Sequence, residues 1–243
     1  MRGFRPDTEQ VRAALLGSDE NYRHRRGILR SPLRVAQYDS AVPQSSRQRL
    51  LEAAISIIDE SGEAELHVRE VAAAAGLSVA MVRHYFSDRE GLVTAARAEQ
   101  YRRSMIASLP ELTRMLADAQ SVDDLKATVR PVFDSFLTPE FFDRRMSRAS
   151  ALGASYRRPD LAHQLELIHR ETSAAIGGIL IIAQERGWLR PGLNTQAACL
   201  LYYGIINSRV LIESWADEDF QADWNALAIE AIFNMYFGRD EEK

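Results

Sequence analysis

Glu166 and His169 stand at the Glu-x-x-His spacing with which di-iron carboxylate bundles present a carboxylate and an imidazole on one helix face. Such a centre needs a second motif of the same kind and two further glutamates, and the sequence contains no second motif. His163 and His169 are six residues apart, so they share no close helix face for a two-histidine clamp. No HExxH, CxxC, GxGxxG or GxxxxGK(S/T) occurs, and no nucleophile–base pair can be argued from the pattern. Glu166 and His169 therefore read as a surface or bundle-edge pair. The chain reads as no enzyme, with no metal and no cofactor.

A different chemistry is carried by Val79 to Tyr85. Val82 and Phe86 mark the inner side of a short helix there, leaving Ala80, Met81, Arg83, His84 and Tyr85 facing outward. A small face of mixed polarity on a short helix suits the major groove of DNA, where arginine reaches guanine edges or phosphates. The elements that must position it can be read locally. Ser45 with Gln48 forms a capping box that opens a helix carrying Leu50, Ala54, Ile57 and Ile58, and Gly62 ends it. A second helix runs from about Val68 to Ala75, and Gly76 follows where a chain reversal needs positive φ. Ser78 can cap the third helix, and Ser87-Asp88-Arg89-Glu90 reads as a capping box opening a fourth. Two short helices joined by a tight glycine turn make a helix-turn-helix unit, with Val71, Ala72, Leu77, Val82 and Phe86 as its core.

The stretch Gly62-x3-Leu66-x-Val68-Arg69-Glu70-Val71-Ala72-x2-Ala75-Gly76-Leu77-Ser78, continued by Val82-Arg83-His84-Tyr85-Phe86-Ser87-Asp88-Arg89-Glu90-Gly91-Leu92, resembles the DNA-binding head of the TetR family without a gap. The family usually has Ser or Thr where His67 stands and often Tyr at Arg83. It often has His at Tyr85 and Lys at Arg89. The resemblance implies an all-α fold: an N-terminal three-helix head and a C-terminal helical domain for ligand binding and dimerisation. It implies a repressor that a small, largely apolar ligand releases from a pseudo-palindromic operator. The residues expected at the DNA are Ser45, Ser46, Val68, Arg69, Ser78, Val79, Ala80, Met81, Arg83, His84, Tyr85 and Arg89. Ser45, Ser46 and Arg89 are expected to hold the backbone.

After Leu92 everything reads as helix. The fourth helix reaches about Ser108, where Pro110 interrupts it; others cover Val122 to Leu137, a short aromatic piece from Pro139, Pro159 to Arg186, about Asn194 to Trp215, and Phe220 to Phe237. The Pro159 helix has an apolar stripe of Leu161, Leu165, Ile168, Thr172, Ile176, Ile179 and Ala183. The last two helices are apolar on more than one face, so they are internal or shared with a partner. In the family the last two helices pair with their copies, which implies a homodimer here, with Gly204 allowing close approach. Candidate ligand contacts are Phe133, Phe136, Phe142, Met146, Tyr156, His169, Tyr203 and Asn207, an aromatic set with few polar anchors.

Residues 1–44 read as an N-terminal extension: a short helix at Asp7–Leu16, then Arg23, Arg25, Arg26, Arg30 and Arg34 in a stretch with few large apolar residues, either a disordered tail or a DNA-contacting arm. Residues 45–93 form the DNA-binding head and 94–243 the body. Net charge is −4, yet residues 1–104 hold 16 basic against 14 acidic side chains while the remainder is acidic, which fits a DNA-facing front. No apolar run reaches the ~18 residues of a membrane span, no signal peptide opens the chain, and the single Cys199 excludes an intrachain disulfide. A cytoplasmic location follows as the expectation. An architectural or division-linked DNA-binding protein on the same fold, without an inducer, is the alternative.

Overall fold

The computed structural model describes residues 44–238. The expected helix at Asp7–Leu16 and the arginine-rich arm lie outside the described residues. Within them the chain is helical and contains no strand: α1 (Ser46–Ser61), α2 (Val68–Ala74), α3 (Val79–Phe86), α4 (Arg89–Ile106), α5 (Leu109–Asp118), α6 (Val122–Ser135), α7 (Phe142–Ser155), α8 (Pro159–Glu185), α9 (Thr195–Ser208) and α10 (Glu218–Phe237).

Local chemistry accounts for most boundaries. Ser45 caps α1 by accepting from the Gln48 N–H, but the Gln48 side chain turns to Glu52, so only half of the expected capping box forms. α2 ends in a Schellman motif: Gly76 N–H donates to Ala73 O, Leu77 N–H to Ala72 O, and Gly76 takes φ +64°. The N-cap of α4 is Asp88, whose carboxylate accepts from Gly91 N–H at 2.8 Å; Ser87, expected as that cap, instead occupies a γ-turn with φ 66° and ψ −59°. α4 stops at Ile106. The interruption expected near Ser108 is a two-residue turn, after which Pro110 sits in the first turn of α5, where a proline forfeits no hydrogen bond. Pro139 begins a single 3-10 turn, and α7 behind it is fourteen residues long, longer than the short piece expected. α8 buries its stripe as read, with Ile179 half-buried. α9 ends at Ser208 in a 3-10 turn rather than continuing to Trp215.

These helices build two apolar cores. One holds Leu50, Leu51, Ala54, Ile55 and Ile58 of α1 with Leu66, Val71, Ala72, Val82 and Phe86, closed by Leu92, Val93 and Ala96 of α4. Leu77, expected in it, packs on its edge, half-buried. The other core begins with Ala98, Tyr101 and Met105 of the same helix and extends through α5 to α10. The division between head and body thus passes through α4, whose first half belongs to one core and whose second half belongs to the other.

Candidate nucleic-acid interface

The head presents α3 as expected. Val82 and Phe86 are buried beneath it, Ala80, Arg83 and His84 are exposed, and Val79, Met81 and Tyr85 are half-buried along its sides. Ser78 occupies the N-cap position of α3 but its hydroxyl makes no capping bond, and His67 likewise caps α2 without a side-chain bond. The Ser78 hydroxyl, exposed beside the free N–H groups of a helix start, can therefore donate to a phosphate. Val68 is half-buried and Arg69 exposed at the start of α2. Ser45 and Ser46 sit at the start of α1.

The arginines of the head fall into two groups. Arg47, Arg49, Arg69 and Arg83 are exposed, and none has a carboxylate within ion-pair reach among the described residues. Arg47 lies 5.1 Å over the Phe86 ring, and an Arg49 Nη stands beside Gly76 in the helix-turn-helix turn. Both therefore flank α3, and the pattern of α1 as a buried helix concealed them. Arg89 belongs to the second group. Its Nε donates to Leu66 O at 2.9 Å, one Nη to Glu63 O at 2.6 Å, and the other pairs with Glu90. A backbone-holding role at DNA was expected for Arg89; the structure has it tying down the chain between α1 and α2. Arg97 pairs with Glu63, Arg103 with Glu52 and Glu99, and Arg158 of the body with Glu63 and Glu90. The cations toward the body are neutralised, and those around α3 are left for an anion.

Two cavities of the body concern the expected ligand contacts. The smaller, about 70 Å³, is apolar and includes Phe133, Val129, Leu116 and Ile176 in its wall. The larger, about 360 Å³, is bounded by Phe136, Phe141, Tyr202 and Tyr203 together with Arg144, Arg148, Ser104 and Glu111. Of the expected ligand contacts, Phe133, Phe136 and Tyr203 reach these walls; Tyr203 also donates its hydroxyl to Met105 O at 2.5 Å. Phe142 and Met146 are exposed and line neither cavity, because the side of α7 that meets the larger cavity carries buried Arg148 and, at the exposed rim, Arg144, and residues two positions away point about 200° around the helix. Tyr156, 92 % exposed beyond the end of α7, lines neither. His169 hydrogen-bonds Tyr101 Oη at 2.6 Å beside a separate groove at α7 and α8, and burial lowers its pKa. Asn207 has a buried, unpartnered Oδ1 but is in neither cavity wall. Cys199 is buried, with its thiol pKa pushed up to about 12. Among the described residues no group of three His, Cys, Asp or Glu could hold a metal ion, and no helix is long and apolar enough to cross a membrane.

Residues 50–96 match the family model for bacterial regulatory proteins of the tetR family. The chain is 34% identical to the HTH-type transcriptional regulator BetI of Yersinia pestis (strain Pestoides F), covering 69% of this chain and 93% of that protein. It belongs to the TetR family. A BetI of Stenotrophomonas maltophilia (strain R551-3) is 28% identical, over 66% of this chain and 91% of the relative. The fold is shared with a structure assigned to the TetR family from Mesorhizobium loti MAFF303099, with TM-score 0.58, 16% identity and 79% and 96% of the two chains covered. It is also shared with the multidrug binding protein EbrR complexed with imidazole, with TM-score 0.51, 23% identity and 80% and 96% coverage. The protein is thus a DNA-binding transcriptional regulator of a family that is not enzymatic. Arg144 and Arg148, in the wall of the larger cavity, were not among the residues expected there.

Proposed function

We propose that the protein binds a pseudo-palindromic operator as a homodimer, placing α3 of each head in successive major grooves, and that a small molecule held in the body releases it. The observation that carries this reading is the segregation of the head's arginines. Arg47, Arg49, Arg69 and Arg83 surround an exposed α3 without carboxylate partners, while the arginines on the body side are paired. Arg69, Arg83, His84 and Tyr85 contact bases or phosphates, with Ser45, Ser46, Val68, Ser78, Val79, Ala80 and Met81 completing the surface. The head takes in residues from 45 to the first half of α4, and the remainder forms the ligand-binding and dimerisation body.

Dimerisation through α9 and α10 is supported by what they leave outside. Leu200 and Leu201 of α9, Phe220 and Leu227 of α10, and Leu211 and Trp215 between the two helices are exposed in the protomer, large apolar side chains that a partner would cover. Gly204, also exposed on α9, has nothing within 4 Å of an added Cβ, which leaves room for a second helix. The two body cavities favour a ligand-responsive regulator over an architectural factor, and the larger is within the size range of small-molecule sites. The ligand shifts the head equilibrium only by its differential affinity for the two states.

The test is selection of fragmented host genomic DNA by the purified protein at moderate salt. Enrichment of a few sites sharing an inverted repeat is the expected result. Retention without a shared motif would replace the operator reading with the architectural one.

A further inference from the structure

The larger body cavity has an unbalanced charge. Arg148 is 5 % exposed, yet no carboxylate lies within ion-pair reach of it among the described residues. Its Nε donates to Ser104 Oγ at 3.1 Å and one Nη donates to Ser104 O; the other Nη has no acceptor among the described residues. The guanidinium lies 5.4 Å over the Tyr203 ring. Tyr101, Tyr202, Tyr203 and Arg144 are the charged or titratable groups that act on it, and none is an acid ionised at neutral pH. Arg144, one turn earlier on α7, reaches the same cavity, lies 4.8 Å over Phe141 and has no carboxylate partner either. Glu111, the one carboxylate in the cavity wall, is exposed and pairs with neither arginine. The contrast within α7 is sharp: Arg145, equally buried, is paired with Glu213, which also holds Arg209.

A buried cation with no counter-charge is costly, and arginine does not escape by losing its proton. Burial pushes the Arg148 pKa down, which registers that cost. A ligand anion would relieve it. A cationic ligand would meet two arginines without carboxylate partners and be repelled. The aromatic wall formed by Phe136, Phe141, Tyr202 and Tyr203 asks for an aromatic or acyl body next to the charge.

We infer that the effector is an organic monocarboxylate with an aromatic or short acyl body, whose carboxylate is bound by Arg148 and assisted by Arg144. The inference rests on the ligand-responsive reading above. A monoanion matches the site better than a phosphate, because Arg148 has only one nitrogen free and Arg144 is at the exposed rim. Binding also has a route to the head. Arg148 holds the Ser104 carbonyl in the last turn of α4, and a carboxylate competes for those donors.

The experiment compares phenylacetate and 4-phenylbutyrate with their uncharged amides, with phenethylamine and with phenyl phosphate, by calorimetry on the full chain and by release of the operator complex. The expected result is that a carboxylate binds at least about tenfold tighter than its amide, the effect of one charge-assisted hydrogen-bond pair. Arg148→Met should remove that preference and Arg144→Gln should reduce it. The wild-type comparison of acid with amide stands even if Arg148→Met fails to fold, and Arg148→Lys should keep part of the preference. Amide or amine binding as tightly as the acids, or no acid outbinding its amide, overturns the inference while the operator selection continues to test the regulator. Phenyl phosphate binding tightest overturns the carboxylate assignment. Carboxylate binding that leaves the operator complex intact supports the anion site and removes its role as the inducer's seat.

Discussion

Replacing Gly91 by alanine tests the geometry that aims α3. Gly91 lies in the first turn of α4 with ordinary helical backbone, so the substitution has no conformational penalty of its own. The difficulty is steric. An alanine Cβ would fall well inside van der Waals contact of the Phe86 carbonyl oxygen and 3.2 Å from its carbon. That carbonyl is backbone, and it accepts from Asp88 N–H at 2.8 Å across the γ-turn at Ser87. To admit the methyl, the oxygen must retreat by the order of an ångström, breaking a bond worth about 1 kcal/mol and moving a packed backbone, which costs a further ~1–3 kcal/mol. The expected loss is therefore about 2–4 kcal/mol. For a domain of this length that lowers Tm by roughly 5–15 °C. Because Phe86 ends α3 and Asp88 starts α4, the same displacement tilts the recognition helix, so operator affinity should fall further than the lost stability explains. Gly62→Ala is the control: its φ of 86° and ψ of 165° are nearly closed to alanine, but nothing lies within 4 Å, so its cost of about 1–3 kcal/mol should be purely conformational and leave α3 where it is. The assay is thermal unfolding with fluorescence anisotropy on the selected operator, below the melting range. Gly91→Ala melting within about 2 °C of wild type and binding equally well would refute the steric reasoning.

Arg83→Ala should weaken operator binding by about 1–3 kcal/mol with a base-specific loss; an equal loss on every sequence marks a phosphate contact, and unchanged affinity removes Arg83 from the interface. Arg89→Met should destabilise the head by about 2 kcal/mol in chemical unfolding, since two carbonyls and Glu90 lose a charged donor; a pure loss of DNA affinity at constant stability would restore the backbone-contact role instead. His169, held neutral by burial against Tyr101, has a folded pKa below its unfolded value of about 6.5, so the unfolded chain takes up the proton first and stability falls as pH drops below that value. Melting curves between pH 7 and 5 should show this decline in wild type and a flatter one in His169→Gln; parallel curves would contradict the assignment.

The head was legible because its signals are local. Gly76 needs positive φ, Val82 and Phe86 need burial, and what remains of α3 must face outward, all of it within one short stretch. Where the reading failed, two local options competed. Ser87 and Asp88 are both good caps, and the close approach of Gly91 to Phe86 O, invisible in one dimension, accompanies the choice of Asp88. Arg89 was expected at the DNA backbone; what one dimension could not show is that in the protomer it also holds carbonyls 23 and 26 residues earlier. The body was legible as helices but not as a site. Aromatic and methionine side chains in a family expected to hold a cavity pointed to Phe142, Met146 and Tyr156, whereas the face of α7 at the larger cavity is defined by its packing on neighbouring helices and carries arginines. A buried unpaired arginine contradicts ordinary burial preferences, so residue statistics pass over it.

The two cores sharing α4 give the ligand site a mechanical relation to the DNA site. Leu92, Val93 and Ala96 anchor the first half of α4 in the head, and Ala98, Tyr101 and Met105 anchor the second half in the body. Between the two cores the packing is polar: Arg97 and Arg158 converge on Glu63, Arg103 pairs with Glu52, and Gln100 donates to Asp59 at 2.6 Å. Partly exposed ion pairs of this kind each contribute little and can re-form at slightly altered distances, unlike interdigitated side chains. A continuous helix fixed in both cores cannot change length. On the proposed reading, a displacement at its last turn would be passed to the head across that polar seam. Arg148 holds the last turn through Ser104, and Arg158 holds the seam through Glu63; both reach out from the body, at either end of the segment from α7 to the start of α8. On the same reading, a ligand anion that draws Arg148 off Ser104 frees the last turn of α4, the part of this shared helix nearest the larger cavity.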